Sequence, residues 1–199
     1  MSTPGFYFLR HGETQFNRER RFQGSIDVPL NDTGEAQARQ AAHILESHSF
    51  SRIVTSPACR ARRTAEIVAG NSGISIHQEK DLMEFSVGSL EGRLIDEAKK
   101  AHGLGKGDSY MLMLPDDADN WQEFVHRVGT AVKRWTKQYS SETLLITAHG
   151  LVFCALAEFL SGESRFSGNA EPHYFKPNSD AWGDSEGELW GDAWEIKKI

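Results

Sequence analysis

Two histidines and two arginines stand at short turns that follow apolar runs. Arg10-His11-Gly12-Glu13 follows Phe6-Tyr7-Phe8-Leu9, Ser56 to Arg60 follows Ile53-Val54-Thr55, and His149-Gly150 follows Thr143-Leu144-Leu145-Ile146-Thr147. Splitting a phosphate monoester without a metal needs a nucleophile, cationic donors for the nonbridging oxygens, and an acid for the leaving oxygen. This set supplies all three. A neutral imidazole attacks phosphorus in line when its other nitrogen donates to a backbone carbonyl and so fixes the tautomer. His11, between Arg10 and the small Gly12, suits that task. Arg10 and Arg60 offer planar forks of donors to phosphate oxygens, and a protonated His149 adds another. Glu84 is the expected acid, because Leu82-Met83 and Phe85 surround it with apolar groups that push a carboxyl pKa toward neutrality.

These residues need a scaffold that brings distant turns to one rim. Phe6 to Leu9, preceded by Pro4-Gly5, reads as a strand buried on both faces. Glu35 to Ser47 carries Ala38, Ala41, Ala42 and Leu45 at helical spacing behind Asn31 or Thr33 as cap. Ile53 to Thr55 is a second strand, and Ala58 to Val68 a helix ending at Gly70. Trp121 to Tyr139 lines up Phe124, Val128, Val132 and Trp135, and Leu151 to Leu160 follows the late strand as another helix. Strands alternating with helices imply an α/β fold with a mostly parallel sheet covered on both faces. Ligands in such sheets collect beyond the carboxyl ends of strands, near helix N-termini. From Asn169 the tail differs: Tyr174-Phe175 and Trp194-Glu195-Ile196 read as short strands of an antiparallel edge around a polar stretch.

Composition excludes several alternatives. With 199 residues, 39% hydrophobic, the chain reads as a single domain over 1–199 with enough apolar material for a sizeable core. A net charge of -6 argues against nonspecific binding to nucleic acid or to an anionic membrane, so any anionic substrate needs a local cluster of cations. No apolar stretch is long enough for a membrane span and no signal-peptide pattern opens the chain, which makes the expected location cytoplasmic. Cys59 and Cys154 form no ligand spacing and read as reduced thiols. The histidines include no H-x-x-x-H pair, and Asp116, Asp117 and Asp119 lack the glycine and glutamate of a calcium loop, so no metal or other cofactor is expected. Met111-Leu112-Met113-Leu114 fits a homodimer face, a buried loop or a substrate wall, and a homodimer is the expectation retained.

Leu9-Arg10-His11-Gly12-Glu13-Thr14 with Asn17 resembles the signature of the histidine phosphatase superfamily, also called phosphoglycerate mutase-like. Further blocks agree in order: Arg21 to Gly24, Val28 to Asn31 with Gly34, Thr55 to Ala61 with Thr64-Ala65, Glu84 with Gly88 and Glu91-Gly92, and Ala148-His149-Gly150. The resemblance spans roughly residues 6 to 160. It implies a three-layer α/β/α sandwich and a metal-independent reaction through phosphohistidine at His11, with Glu84 as proton donor. Arg10, Arg60, His149 and Gly150 would form the phosphate pocket, and Asn17 with Gln23-Gly24 would line it. Asn17 has a second reading as the cap of a short helix from Arg18 to Arg21.

The resemblance leaves the reaction to be chosen. Glycolytic mutases of the family resemble one another in Glu-Arg-His-Tyr-Gly where this chain has Glu84-Phe85-Ser86-Val87-Gly88, and the missing arginine would have helped hold a substrate carboxylate. The expectation is therefore a phosphatase acting on a small phosphorylated metabolite. Mutase-type transfer and a noncatalytic phosphate-binding module are the alternatives. Substrate contacts are expected between Leu94 and Pro115, and Trp182, Trp190 and Trp194 read as packing residues.

Overall fold

The structure, a computed structural model, describes residues 4–178 and 194–199. Its centre is a six-stranded sheet in the order β3-β2-β4-β1-β5-β6. β1 (Phe6–Arg10), β4 (Leu144–Ala148), β2 (Arg52–Thr55) and β3 (Ser75–Gln78) run parallel. β5 (Pro172–Pro177) and β6 (Trp194–Lys198) add an antiparallel edge, as the tail pattern predicts.

Period-two alternation sorts the core into two layers. Phe6, Phe8, Val54, Leu144 and Ile146 pack with helices α5 (Trp121–Gln138) and α6 (Gly150–Ser161) on one face. Leu9, Ile53 and Leu145 face α2 (Asp32–Leu45) and α3 (Cys59–Ala69) on the other. The result is the expected α/β/α sandwich. Fully burying an aromatic or aliphatic side chain contributes roughly 1.5–3 kcal/mol, and Phe6, Phe8 and Phe175 are all completely enclosed. The same strand therefore anchors the sheet and delivers Arg10 and His11 to its carboxyl end.

Local signals explain most helix boundaries. Asn31 caps α2 by accepting from Gly34 N, Asn120 caps α5 by accepting from Gln122 N and Glu123 N, and α3 stops at Gly70. Two short elements were not anticipated. β3 has a single apolar residue, Ile76, so its strand character comes from pairing with β2 at an exposed edge. α4 (Ile95–Ala101) begins without a side-chain cap. The helix near Asn17 is α1 (Gln15–Glu19), and its cap is Thr14. Asn17 is thus not the cap of a helix at Arg18 to Arg21; it sits three residues past Thr14 and completes a reciprocal capping box. Trp182 and Trp190 lie outside the described residues, whereas Trp194 packs on Phe6 as expected.

Candidate active site

His11 lies just past β1, where its backbone N–H still donates to Ala148 O of the neighbouring strand at 2.9 Å. The ring Nδ1 is 2.7 Å from Gly12 O. A carbonyl only accepts, so Nδ1 carries the proton and Nε2 keeps its lone pair. Burial first, then the positive charges of Arg60 and Arg10, hold His11 well below the ordinary histidine pKa. The imidazole is neutral near pH 7. Gly12 is needed at this turn because a Cβ there would run into the backbone of Gly34 at the start of α2.

Arg10 reaches back across the sheet. Its Nη1 donates to Ser167 O at 2.9 Å, and its buried Nε has no partner among the described residues. Arg10 lines the cavity that His11 faces, alongside Asn17, Gln23, Gly24, Glu84 and Gly150. The cavity has a volume of about 180 Å³. Seven of the nine expected site residues therefore share one wall.

Arg60 and His149 stand behind that wall, both with no exposed surface. Arg60 donates to Ile26 O and Gly24 O at 2.9 Å each, and through Nε to His149 Nδ1 at 3.3 Å. Because Nδ1 accepts, the His149 proton is on Nε2, which donates to Ser56 Oγ at 2.7 Å. Burial first, then the neighbouring Arg60 and Arg10 charges, depress the His149 pKa strongly. His149 is thus a neutral ring whose nitrogens both serve protein partners, so the condition for its adding a phosphate donor, protonation, is not met here. Its edge-on contact with His11, at 5.3 Å between ring centres, holds the nucleophile candidate from behind.

Glu84 lies beside the N-terminus of α6. Its Oε1 accepts from Phe85 N at 3.0 Å and its Oε2 from Leu151 N at 3.3 Å. Desolvation raises its pKa above the ordinary carboxyl value, opposed by those two backbone donors and by Arg60 and Arg10. Two aspartates of the Asp116-to-Asp119 run fix the turn after Glu84. Asp119 accepts from Ser86 N and Asp117 from Ser89 N. Glu91 joins this turn to the opposite wall by accepting from Ser86 Oγ, Ser25 Oγ and Ser25 N. At Gly24, with φ of 51°, any side chain would collide with that Glu91 carboxylate.

Gln23 is positioned by Thr14, whose hydroxyl donates to Gln23 Oε1 at 2.6 Å, leaving the Gln23 amide N–H groups as its donors. Asn17 Oδ1 accepts from Thr14 N and from Asn169 Nδ2. Asn169 also donates to His11 O at 3.0 Å, a role without any sequence signal because the partner is 158 positions away. Tyr110 and Phe166 likewise line the cavity, and neither belongs to a recognisable motif. Of the segment expected to hold substrate contacts, Ile95 and Tyr110 do reach the cavity. Arg18 and Arg20 pair with Glu13 and Asp96 on the surface, while Arg21 lines the cavity. No helix among the described residues is long and apolar enough to cross a membrane, and no group of three His, Cys, Asp or Glu converges there as a metal site.

The pattern of the histidine phosphatase superfamily (branch 1) matches residues 6–171. An uncharacterised phosphatase, PhoE of Bacillus subtilis, is 34% identical over 154 residues, covering 77% of this chain and 76% of its own. Phosphoglycerate mutase-like protein 4 of Arabidopsis thaliana is 31% identical over 156 residues, covering 75% and 68%. Among solved structures, Bacillus stearothermophilus YhfR superposes with a TM-score of 0.78 at 28% identity over 87% of this chain and 91% of its own. A mycobacterial glucosyl-3-phosphoglycerate phosphatase shares the fold at TM-score 0.80 and 20% identity, covering 98% and 97%. With the motifs in register and the fold the same, this chain belongs to the histidine phosphatase superfamily, branch 1.

Proposed function

We propose that the protein is a phosphatase that hydrolyses small phosphate monoesters through a phosphohistidine at His11. The observation that carries this reading is the 2.7 Å bond from His11 Nδ1 to Gly12 O, which leaves a neutral Nε2 as nucleophile beside two guanidinium groups. Attack of Nε2 on phosphorus forms the N–P bond as the ester P–O bond breaks. Arg10, which lines the cavity, offers its guanidinium to a nonbridging oxygen, and Arg60 adds its charge from behind. Glu84, kept protonated to higher pH than a surface glutamate, gives its proton to the departing alkoxide. The resulting carboxylate then takes a proton from water as that water attacks phosphohistidine, releasing phosphate and restoring both groups.

The second reading is transfer of the phosphoryl group to another hydroxyl, favoured by relatives named probable phosphoglycerate mutases. Phe85 weighs against it, since this side chain is fully buried against Trp121 and Phe124 and offers nothing to a substrate carboxylate. The deciding experiment is phosphate release from a panel including p-nitrophenyl phosphate and 3-phosphoglycerate in excess chelator. Chelator-resistant release is expected, with a loss on the order of 10⁶-fold in His11→Ala by comparison with removal of other catalytic nucleophiles. Full activity in that variant, or no release from any ester, would overturn the assignment.

A further inference from the structure

Beside the His11 cavity lies a second one of about 390 Å³, walled by Tyr110, Met111, Trp121, Leu151, Glu158 and Phe166, with Cys154 behind them. Tyr110, Leu151 and Phe166 line both cavities, so the two are neighbours sharing a partition. Leu151 lies on that partition. Its N–H holds Glu84 Oε2, and the same residue is part of the second wall. Glu84 therefore stands next to the partition between the two cavities.

The lining restricts which leaving alcohol the chamber can accept. Three aromatic side chains, Met111 and Leu151 present mostly apolar surface. The Cys154 thiol, pushed up to about 12 by burial, stays uncharged. Among the described residues lining the chamber, Glu158 alone is ionic, and Trp121 Nε1 fixes it by donating to both carboxylate oxygens at 3.3 and 3.0 Å. No lysine or arginine joins them. A fixed negative charge in apolar surroundings repels a carboxylate or a second phosphate. Phe166, 83% exposed, has its ring open to solvent on one side, available to cover an incoming flat group.

We propose that this chamber is the leaving-group subsite and that it selects phosphate monoesters of uncharged aryl or other bulky apolar alcohols. The proposal rests on the phosphatase reading above for its placement beside Glu84. It accounts for an otherwise unassigned apolar cavity, an exposed phenylalanine and a pinned carboxylate at one location.

The test compares kcat/KM for phenyl, 2-naphthyl and 4-carboxyphenyl phosphate in excess chelator, using wild type, Phe166→Ala and Glu158→Gln. The naphthyl ester should exceed the phenyl ester about tenfold in wild type, the scale at which a hydrophobic pocket discriminates added apolar bulk. Phe166→Ala, at an exposed position, should bring that preference to within about threefold. The carboxyphenyl ester should be disfavoured about tenfold, and Glu158→Gln should recover most of that loss. A separate arm measures binding of the phenyl and naphthyl esters to His11→Ala by titration calorimetry, where the naphthyl ester should bind about tenfold tighter. Equal turnover of all three esters would keep the phosphatase and overturn the subsite. Tighter naphthyl binding without turnover in wild type would keep the subsite and remove the phosphatase reading.

Discussion

The floor and the wall of the site are built by different physics. On the floor, His11, Arg60 and His149 are buried: Gly12 O holds His11, Arg60 donates to His149, and His149 donates to Ser56. Each member is held by partners that would be left unsatisfied if it moved, at about 1–3 kcal/mol apiece. The wall formed by Tyr110, Met111, Leu151 and Phe166 relies on apolar contact, which is nondirectional, and it includes the exposed Phe166 ring. A fixed floor and a permissive wall suit a site whose reaction stays constant while the alcohol varies.

The sharpest way to break this comparison is Glu84, which belongs to both regions. Glu84→Gln should lower kcat about 10²–10⁴-fold for a poor leaving group such as glycerol phosphate, and far less for p-nitrophenyl phosphate, which departs without a proton. Equal losses for both esters would remove Glu84 from the acid role. The pH profile adds a second readout. His11 is held well below the ordinary value of about 6.5, so it is already neutral there, and activity on the acid side should fall only as His11 begins to take up a proton. Glu84 is raised, so activity should decline on the basic side as this acid loses its proton, and Glu84→Gln should abolish that basic limb.

Arg10→Ala comes next, with an expected loss of about 10²–10³-fold in kcat, the scale of one preorganised donor to a transition-state oxygen. Steady-state kinetics would check it, and a change confined to KM would place Arg10 in ground-state binding only. Asn169→Ala tests whether the tail belongs to the floor. Losing its bond to His11 O should cost about 1 kcal/mol, seen as roughly a fivefold fall in kcat with KM little changed. The smallest effect is expected for Leu112→Ser, at a 73% exposed position outside both cavities, where kcat/KM should stay within about twofold and stability within about 0.5 kcal/mol. A large fall there would show that the wall extends further than its lining residues.

Much of the floor was legible because its signals are local. Apolar runs of four or five residues followed by Arg10-His11-Gly12 or His149-Gly150 mark strand ends, and parallel crossovers place strand ends on one rim. Glu84 was legible from its apolar neighbours and its place after Thr55 and Arg60 in chain order. The protonation state of His149 was not legible because its partners, Arg60 and Ser56, lie 89 and 93 positions away. β3 escaped notice for a related reason: Ser75-Ile76-His77-Gln78 carries little strand signal until β2 pairs with it.

The sequence by itself determined the chemical types of the site, the alternation of strands and helices, and the order in which the key residues arrive at the rim. Those features depend on side-chain periodicity and on turns of a few residues. The tertiary structure alone decided the neutral state of His149, the contact of Asn169 with His11, and the apolar chamber beside Glu84. Each of these arises where the tail and the segment around Tyr110 fold back across the rim, as in the 157-residue separation between Arg10 and Ser167. Burial and electrostatic fields are sums over such distant neighbours, so no local pattern encodes them.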